Sequence, residues 1–207
     1  MHVEGTVPYP WPWDGQLDPL SMALLVVGAQ GWLVDRTRAH KAALAAATLA
    51  ARTLKEAGGV VLVVRHVRPW AAAHPRVLPR RGEPGWQLAW PGDPPDAVVE
   101  AGGVSGFHGG CLDDVLRSLG RDRLVLAGLG LETAVYSTLT SANDRGYECL
   151  VLGDAAAAHD PVVGERVLCS ITMSGGIFGA VGRSGELCAA LRSNATPSRP
   201  DPRPEPV

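Results

Sequence analysis

What most restricts this chain is a series of short, uninterrupted apolar runs set between stretches of helical spacing: Ala23 to Val27, Val60 to Val64, Ala97 to Val99, Leu124 to Ala127 and Leu150 to Leu152. A strand with one wet face alternates apolar and polar residues. A run that is apolar throughout must be covered on both faces, which is the condition of a parallel strand inside a sandwich. Between the first two runs, Thr37 to Ala57 carries Leu44, Ala47, Thr48, Ala51 and Leu54 on one helical face, with Gly58 just past its end. That is a βαβ unit. A second helix, Leu112 to Leu119, leads through Gly120 to the fourth run, and a third, Thr133 to Arg145, leads through Gly146 to the fifth. The repetition predicts an α/β three-layer sandwich, with a largely parallel sheet of about six strands and helices on both faces.

Three segments fall outside the repeat. Residues 1–20 hold four prolines with Tyr9, Trp11 and Trp13, the makings of an arm that packs on the domain or on a second subunit. Residues 21–194 form the domain. Within it, Val67 to Pro95 holds seven prolines and Trp70, Trp86 and Trp90; long ordered loops of this kind serve function or interfaces. Residues 195–207 contain five prolines and little that is apolar, so a disordered tail is expected.

The 19 basic and 21 acidic side chains leave a net charge of −2, which argues against a nucleic-acid or membrane-surface partner. Nothing approaches the roughly 18 apolar residues needed to span a bilayer. The four cysteines, Cys111, Cys149, Cys169 and Cys188, lack CxxC spacing and the density of a secreted scaffold, so reduced thiols and a cytoplasmic location are expected. Cys149 falls in a buried strand, and Cys169 and Cys188 on apolar helical faces. Only Lys41 and Lys55 are lysines, and both fall on the first long helix. Any chemistry that needs an ammonium group elsewhere is excluded.

In an open parallel sheet a ligand sits beyond the carboxyl ends of the strands, where strand order reverses. The residues there are Gly28-Ala29-Gln30 after the first run, Glu100 to Gly103 after the third, and Gly128 to Val135 after the fourth. Here a resemblance enters. YPWPWDG (Tyr9 to Gly15), ALLVVGAQ (Ala23 to Gln30), RGEPGW (Arg81 to Trp86), SANDRGYECLVLGDAAAAHDP (Ser141 to Pro161) and SGGIFGAV (Ser174 to Val181) resemble the isochorismatase-like cysteine hydrolases, nearest in wording to the ureidoacrylate and biuret hydrolases. The resemblance runs in order from about residue 9 to residue 192 and implies the isochorismatase-like fold.

It also implies a reaction. Those relatives cleave C–N bonds with an aspartate after the first strand, a lysine after the third and a cysteine at the start of the helix after the fourth. The cysteine attacks as thiolate, helped by the helix N-terminus and the ammonium. The aspartate relays the proton to the leaving amine, and backbone N–H groups hold the oxyanion. In this chain the three positions read Gly28, Ala101 and Ala134. A slipped alignment does not repair the loss: no lysine follows Lys55, and no cysteine lies between Cys111 and Cys149. Removing one member of a buried charge set costs about 3–5 kcal/mol, whereas removing all of it can be neutral, so joint replacement is the easy route. A roomier, less charged pocket is the expected result.

Three readings stay open. The first is a degenerate homologue without cysteine amidase activity, which binds a small molecule or partners an active homologue. The resemblance implies dimers or tetramers, as a homo-oligomer or with that homologue. The second is an enzyme of another reaction in specialised metabolism, using His108, Glu132 or Cys111 in a pocket formed by Gln30, Trp32, Phe107 and Tyr136, with Glu100 and Glu132 as a conceivable acid/base pair. The third is a hydrolase with its nucleophile moved to Cys111, in the order FHGGC. Neither metal nor cofactor is expected. His66 and His74 match the place where some relatives bind zinc or iron, but no aspartate lies between them. Asp154 matches a residue whose usual part is structural.

Overall fold

The computed structural model describes residues 1–68 and 78–195. All five apolar runs are strands, namely β1 (Met22–Val27), β2 (Val60–His66), β3 (Ala97–Ala101), β4 (Arg123–Leu129) and β5 (Glu148–Ala157), and a sixth follows, β6 (Ala180–Gly182). The sheet order is β3-β2-β1-β4-β5-β6 and every pairing is parallel. Order reverses between β1 and β4, in register from Met22 opposite Arg123 to Val27 opposite Gly128.

Alternation along the strands divides the core in two. Leu24 and Val26 of β1 face one layer, where α2 (His40–Glu56) and α6 (Ser184–Ala195) pack with Leu44, Ala47, Leu54, Leu187 and Leu191. Ala23, Leu25 and Val27 face the other, with Leu112 and Leu116 of α3 (Leu112–Ser118), Leu139 of α4 (Tyr136–Asn143) and Ile171 of α5 (Pro161–Met173). Each fully buried Leu or Val side chain contributes about 1.5–3 kcal/mol. The continuous runs are thus explained by burial on both faces.

Two expectations change, at the helix after β4 and at Cys169, and β6 and the arm take definite places. The helix placed at Thr133 begins two residues earlier as a π-helical turn, Leu131–Val135, before α4. The Tyr136 N–H reaches back to the Leu131 carbonyl, a wider closure than an α-turn makes, and such turns concentrate at functional sites. β6 is only three residues long, too short for a period, and its glycine-flanked segment reads as a tight turn. Cys169 is exposed, not on a buried face, because α5 buries only Gly164 and Ile171; Cys149 and Cys188 are buried. The arm lies on its own domain: Trp11 is fully buried, Val3 pairs with Trp11, and Val7 pairs antiparallel with Val181, which covers the edge of β6. Residues 196–207 of the expected tail, Trp70 and His74 lie outside the described residues. No helix among the described residues is long and apolar enough to cross a membrane.

Candidate functional site

A cavity of about 460 Å³ opens at the carboxyl edge of the sheet around the reversal point. Its wall is drawn from several strand ends: Trp32 and Leu33 of α1 (Gly31–Val34) follow β1, His66 ends β2, Glu132 and Ala134 lie on the π-helical turn after β4, and His159 follows β5. Leu78 and Val104 add apolar surface to the lining, and Arg36 brings a guanidinium to it.

Polar order in the wall starts from Gln30. Its side-chain amide is fully buried; Oε1 accepts from the His66 N–H at 2.7 Å, and Nε2 donates to the carbonyls of His66 at 3.0 Å and Trp86 at 3.1 Å. Gln30 therefore fastens the end of β1 to the end of β2 and positions His66. The His66 ring is fully buried, with Nδ1 2.9 Å from the Gly103 carbonyl oxygen. A carbonyl only accepts, so Nδ1 carries the proton and Nε2 presents a lone pair. Nε2 has no hydrogen-bond partner. Burial pushes the His66 pKa below its ordinary value, more than the Gly103 carbonyl raises it, so the ring is held neutral. Glu132 accepts from the His159 N–H through Oε1 at 2.9 Å, while its buried Oε2 has no partner, and neither has the buried Trp32 Nε1. Three side chains of the cavity wall thus carry a buried polar atom without a hydrogen-bond partner, as Trp11, Thr37, Arg65, Trp86, Arg121 and Arg123 do elsewhere.

The three positions matched to the family's acid, ammonium and thiol lie at this edge with different fates. Gly28 follows β1 at φ +69°, in the left-handed region; a Cβ placed on it would stand 2.6 Å from Leu33 Cδ1 and 2.8 Å from the Leu129 carbonyl oxygen. Leu33 occupies the room that a side chain at position 28 would need. Ala101, the last residue of β3, is fully buried. Ala134 alone lies on the cavity wall. The expectation of a roomier pocket is corrected at Gly28, where Leu33 fills the space beside a left-handed backbone.

Of the other sequence candidates, Trp32 and Glu132 meet at the cavity and the rest do not. Phe107 is buried 5.7 Å from the Tyr147 ring, with the Arg145 guanidinium 4.8 Å from its centroid. Tyr136 packs edge-on against Phe178 at 5.8 Å. His108 lines a second cavity with Gly109 and three arginines. Cys111 is exposed at the N-cap of α3, away from the cavity, with Asp113 and Asp114 in the helix's first turn. Burial alone would raise the Glu100 pKa, but the hydrogen bond from Arg81 and the charges of Arg65 and Arg81 outweigh it and hold the carboxylate ionised, so it cannot act as a proton donor near neutral pH. Asp154 accepts from the Ser184 N–H at 2.9 Å and hydroxyl at 2.7 Å, anchoring the start of α6. Among the described residues no cluster of three His, Cys, Asp or Glu side chains could hold a metal. Sequence reasoning missed Leu33 and His159, and read His66 as a plain strand end. The strand-end rule that directed attention to the first, third and fourth strands would have found His66 had it been applied to the second.

An open parallel sheet whose order reverses beside a pocket defines a doubly wound α/β protein, a class in which ligands generally sit at such reversals. Within that class the isochorismatase domain family model matches residues 22–176, and the chain belongs to the isochorismatase family. It is 35% identical over 103 residues to the ureidoacrylate amidohydrolase RutB of Methylorubrum extorquens, a stretch covering 49% of this chain and 40% of that protein. The chain therefore spans about two fifths of the curated relative it matches. Among solved structures, a cysteine hydrolase from Pseudomonas syringae pv. phaseolicola superposes with a TM-score of 0.76 at 22% identity, over 86% of this chain and 95% of that one. N-carbamoylsarcosine amidase from Thermoplasma acidophilum gives 0.66 at 27% identity, over 79% and 96%.

Proposed function

We infer that this chain is an isochorismatase-family protein that has given up cysteine-dependent C–N hydrolysis and keeps the cavity at the sheet reversal as a small-molecule site, acting as a ligand-binding subunit or as partner to an active homologue. The observation that carries the reading is Gly28. Its left-handed backbone and the Leu33 methyl beside it oppose any acid at that position, so the proton relay is missing along with the ammonium and the thiol that Ala101 and Ala134 cannot supply. What the cavity retains suits recognition: apolar surface from Trp32, Leu33, Leu78 and Val104 with a few polar side chains, Arg36, Glu132 and His159, on the same wall. Exposed Val162, Val163, Met173 and Ile177 on and after α5 offer apolar surface for a homo-oligomeric contact.

The test is ammonia release. Ureidoacrylate and N-carbamoylsarcosine, the amides named by the relatives, are incubated with the full chain, and the expected rate equals the buffer blank. Ammonia release that disappears in Cys111→Ala would overturn the reading. Glu132 and His66 on the wall of one cavity favour a second reading, an enzyme of proton transfer. It requires turnover that survives thiol alkylation and is lost in Glu132→Gln.

A further inference from the structure

The outer face of α2 carries charge that the fold does not use. From Arg36 to Lys55 the chain places Arg36, Arg38, Lys41, Arg52 and Lys55 and no aspartate or glutamate, in a protein whose net charge is −2; both of its lysines fall in this stretch. Two of the five cations are engaged. Arg36 lies over the Trp32 ring, 5.5 Å from its centroid, and Lys55 meets Asp96 and the Pro94 carbonyl, each at 3.1 Å. Arg38, Lys41 and Arg52 are exposed and make no hydrogen bond or ion pair among the described residues.

Lys41 and Arg52 belong to one groove of about 530 Å³. With Thr48 they line it from α2, and Val34, Leu44 and Pro91 supply apolar surface; no acidic side chain of the described residues lines it. Positions 41, 48 and 52 fall on a single helical stripe, and eleven residues at 1.5 Å each set the two cations about 16 Å apart along the axis. The core is served by the opposite face of α2, with Ala47, Ala50 and Leu54, so the stripe takes no part in it. Nor does Lys41 serve the helix. A cation in the first turn opposes the helix dipole, and no acidic residue is there to offset it.

We propose that this groove docks an acidic segment of a partner protein, held extended, with carboxylates on Lys41 and Arg52 and an apolar side chain between them against Val34, Leu44 and Pro91. An extended chain advances about 3.3 Å per residue, so acids five positions apart reach both cations. Two separated cations flanking an apolar middle suit a chain that enters the groove. A bilayer surface or a nucleic-acid backbone presents charge at every step and leaves the apolar middle unused. The proposal is independent of the first cavity, whose lining shares none of these side chains.

The probe is the amidated peptide Glu-Ala-Leu-Leu-Ala-Glu with a rhodamine label, titrated with the full chain at low salt and read by fluorescence anisotropy. Saturable binding is expected, about tenfold weaker for the peptide with both glutamates replaced by glutamine and for the Lys41→Glu, Arg52→Glu double variant. Both side chains are exposed and unpaired among the described residues, so the reversal leaves the fold intact; the glutamine peptide removes the same attraction without touching the protein. Added salt should weaken binding as well. Absence of saturable binding, equal affinity for the two peptides, or affinity unchanged in the double variant overturns the proposal. So does tighter binding of phosphatidylserine vesicles or of oligothymidylate, which would give this face to a membrane or to nucleic acid.

Discussion

Gly28 and Ala134 are the positions that the sequence resemblance matches to two members of one triad, yet one lies against a leucine and the other, itself only 2% exposed, belongs to the wall of a cavity. At Gly28 the backbone is in the left-handed region and Leu33 Cδ1 stands where a side chain would begin. At Ala134 the backbone is helical and the methyl group lies on the wall of a 460 Å³ cavity. The difference teaches that a small residue at a strand end does not by itself make a pocket. In the short turn between β1 and α1, Leu33 Cδ1 and the Leu129 carbonyl oxygen leave no room beside Gly28. Ala134 is held by a rigid turn, with the Thr138 hydroxyl donating to the Ala134 carbonyl at 2.7 Å and itself accepting from the Gly106 N–H at 2.9 Å.

Restoring the acid should therefore fail most severely. Gly28→Asp is expected to lower unfolding stability by about 3 kcal/mol or more, from left-handed strain of about 1–2 kcal/mol added to overpacking of about 1–3 kcal/mol; denaturant melts read the change. A loss below about 1 kcal/mol would mean that position 28 still accepts a side chain. If Leu33 is the obstruction, Leu33→Ala in the Gly28→Asp background should recover about 1–2 kcal/mol, measured as the coupling in a double-mutant cycle. Strict additivity would assign the cost to the backbone alone.

The cavity side of the comparison has a pH signature. His66 has its pKa lowered by burial, so the unfolded chain takes up a proton that the folded chain refuses. Stability from this group is complete above the unfolded value near 6.5 and declines as pH falls below it, by up to about 1.4 kcal/mol per pH unit until the folded pKa is reached. His66→Asn should flatten that slope in melts between pH 7 and pH 5. The smallest effect belongs to Ala134→Cys, where the added sulfur projects from the cavity wall; a change within about 1 kcal/mol is expected, with the new thiol open to alkylation.

The sheet was legible because strands buried on both faces leave uninterrupted apolar runs, and each such run became a strand. β6 was not, since three residues carry no period, and the side on which Cys169 falls was not, since α5 is apolar on more than its buried face. Within the site, the absence of acid, ammonium and thiol at Gly28, Ala101 and Ala134 could be read from residue identity alone. The filling of the Gly28 space by Leu33 could not, because it depends on a φ angle and a rotamer. Trp32 and Glu132 could be placed by the strand-end rule, whereas His108, Cys111 and Tyr136 belong to other surfaces, which sequence proximity to the strand ends does not distinguish.

The central claim is that no cysteine of this chain serves as a nucleophile, and intact-protein mass spectrometry under turnover conditions tests it most directly. The full chain is mixed with excess amide, quenched in acid within seconds and weighed, then digested to locate any adduct. The account predicts the unmodified mass, with Cys111, Cys149, Cys169 and Cys188 all free. An acyl adduct on any of the four, formed with amide and absent after iodoacetamide, would contradict it.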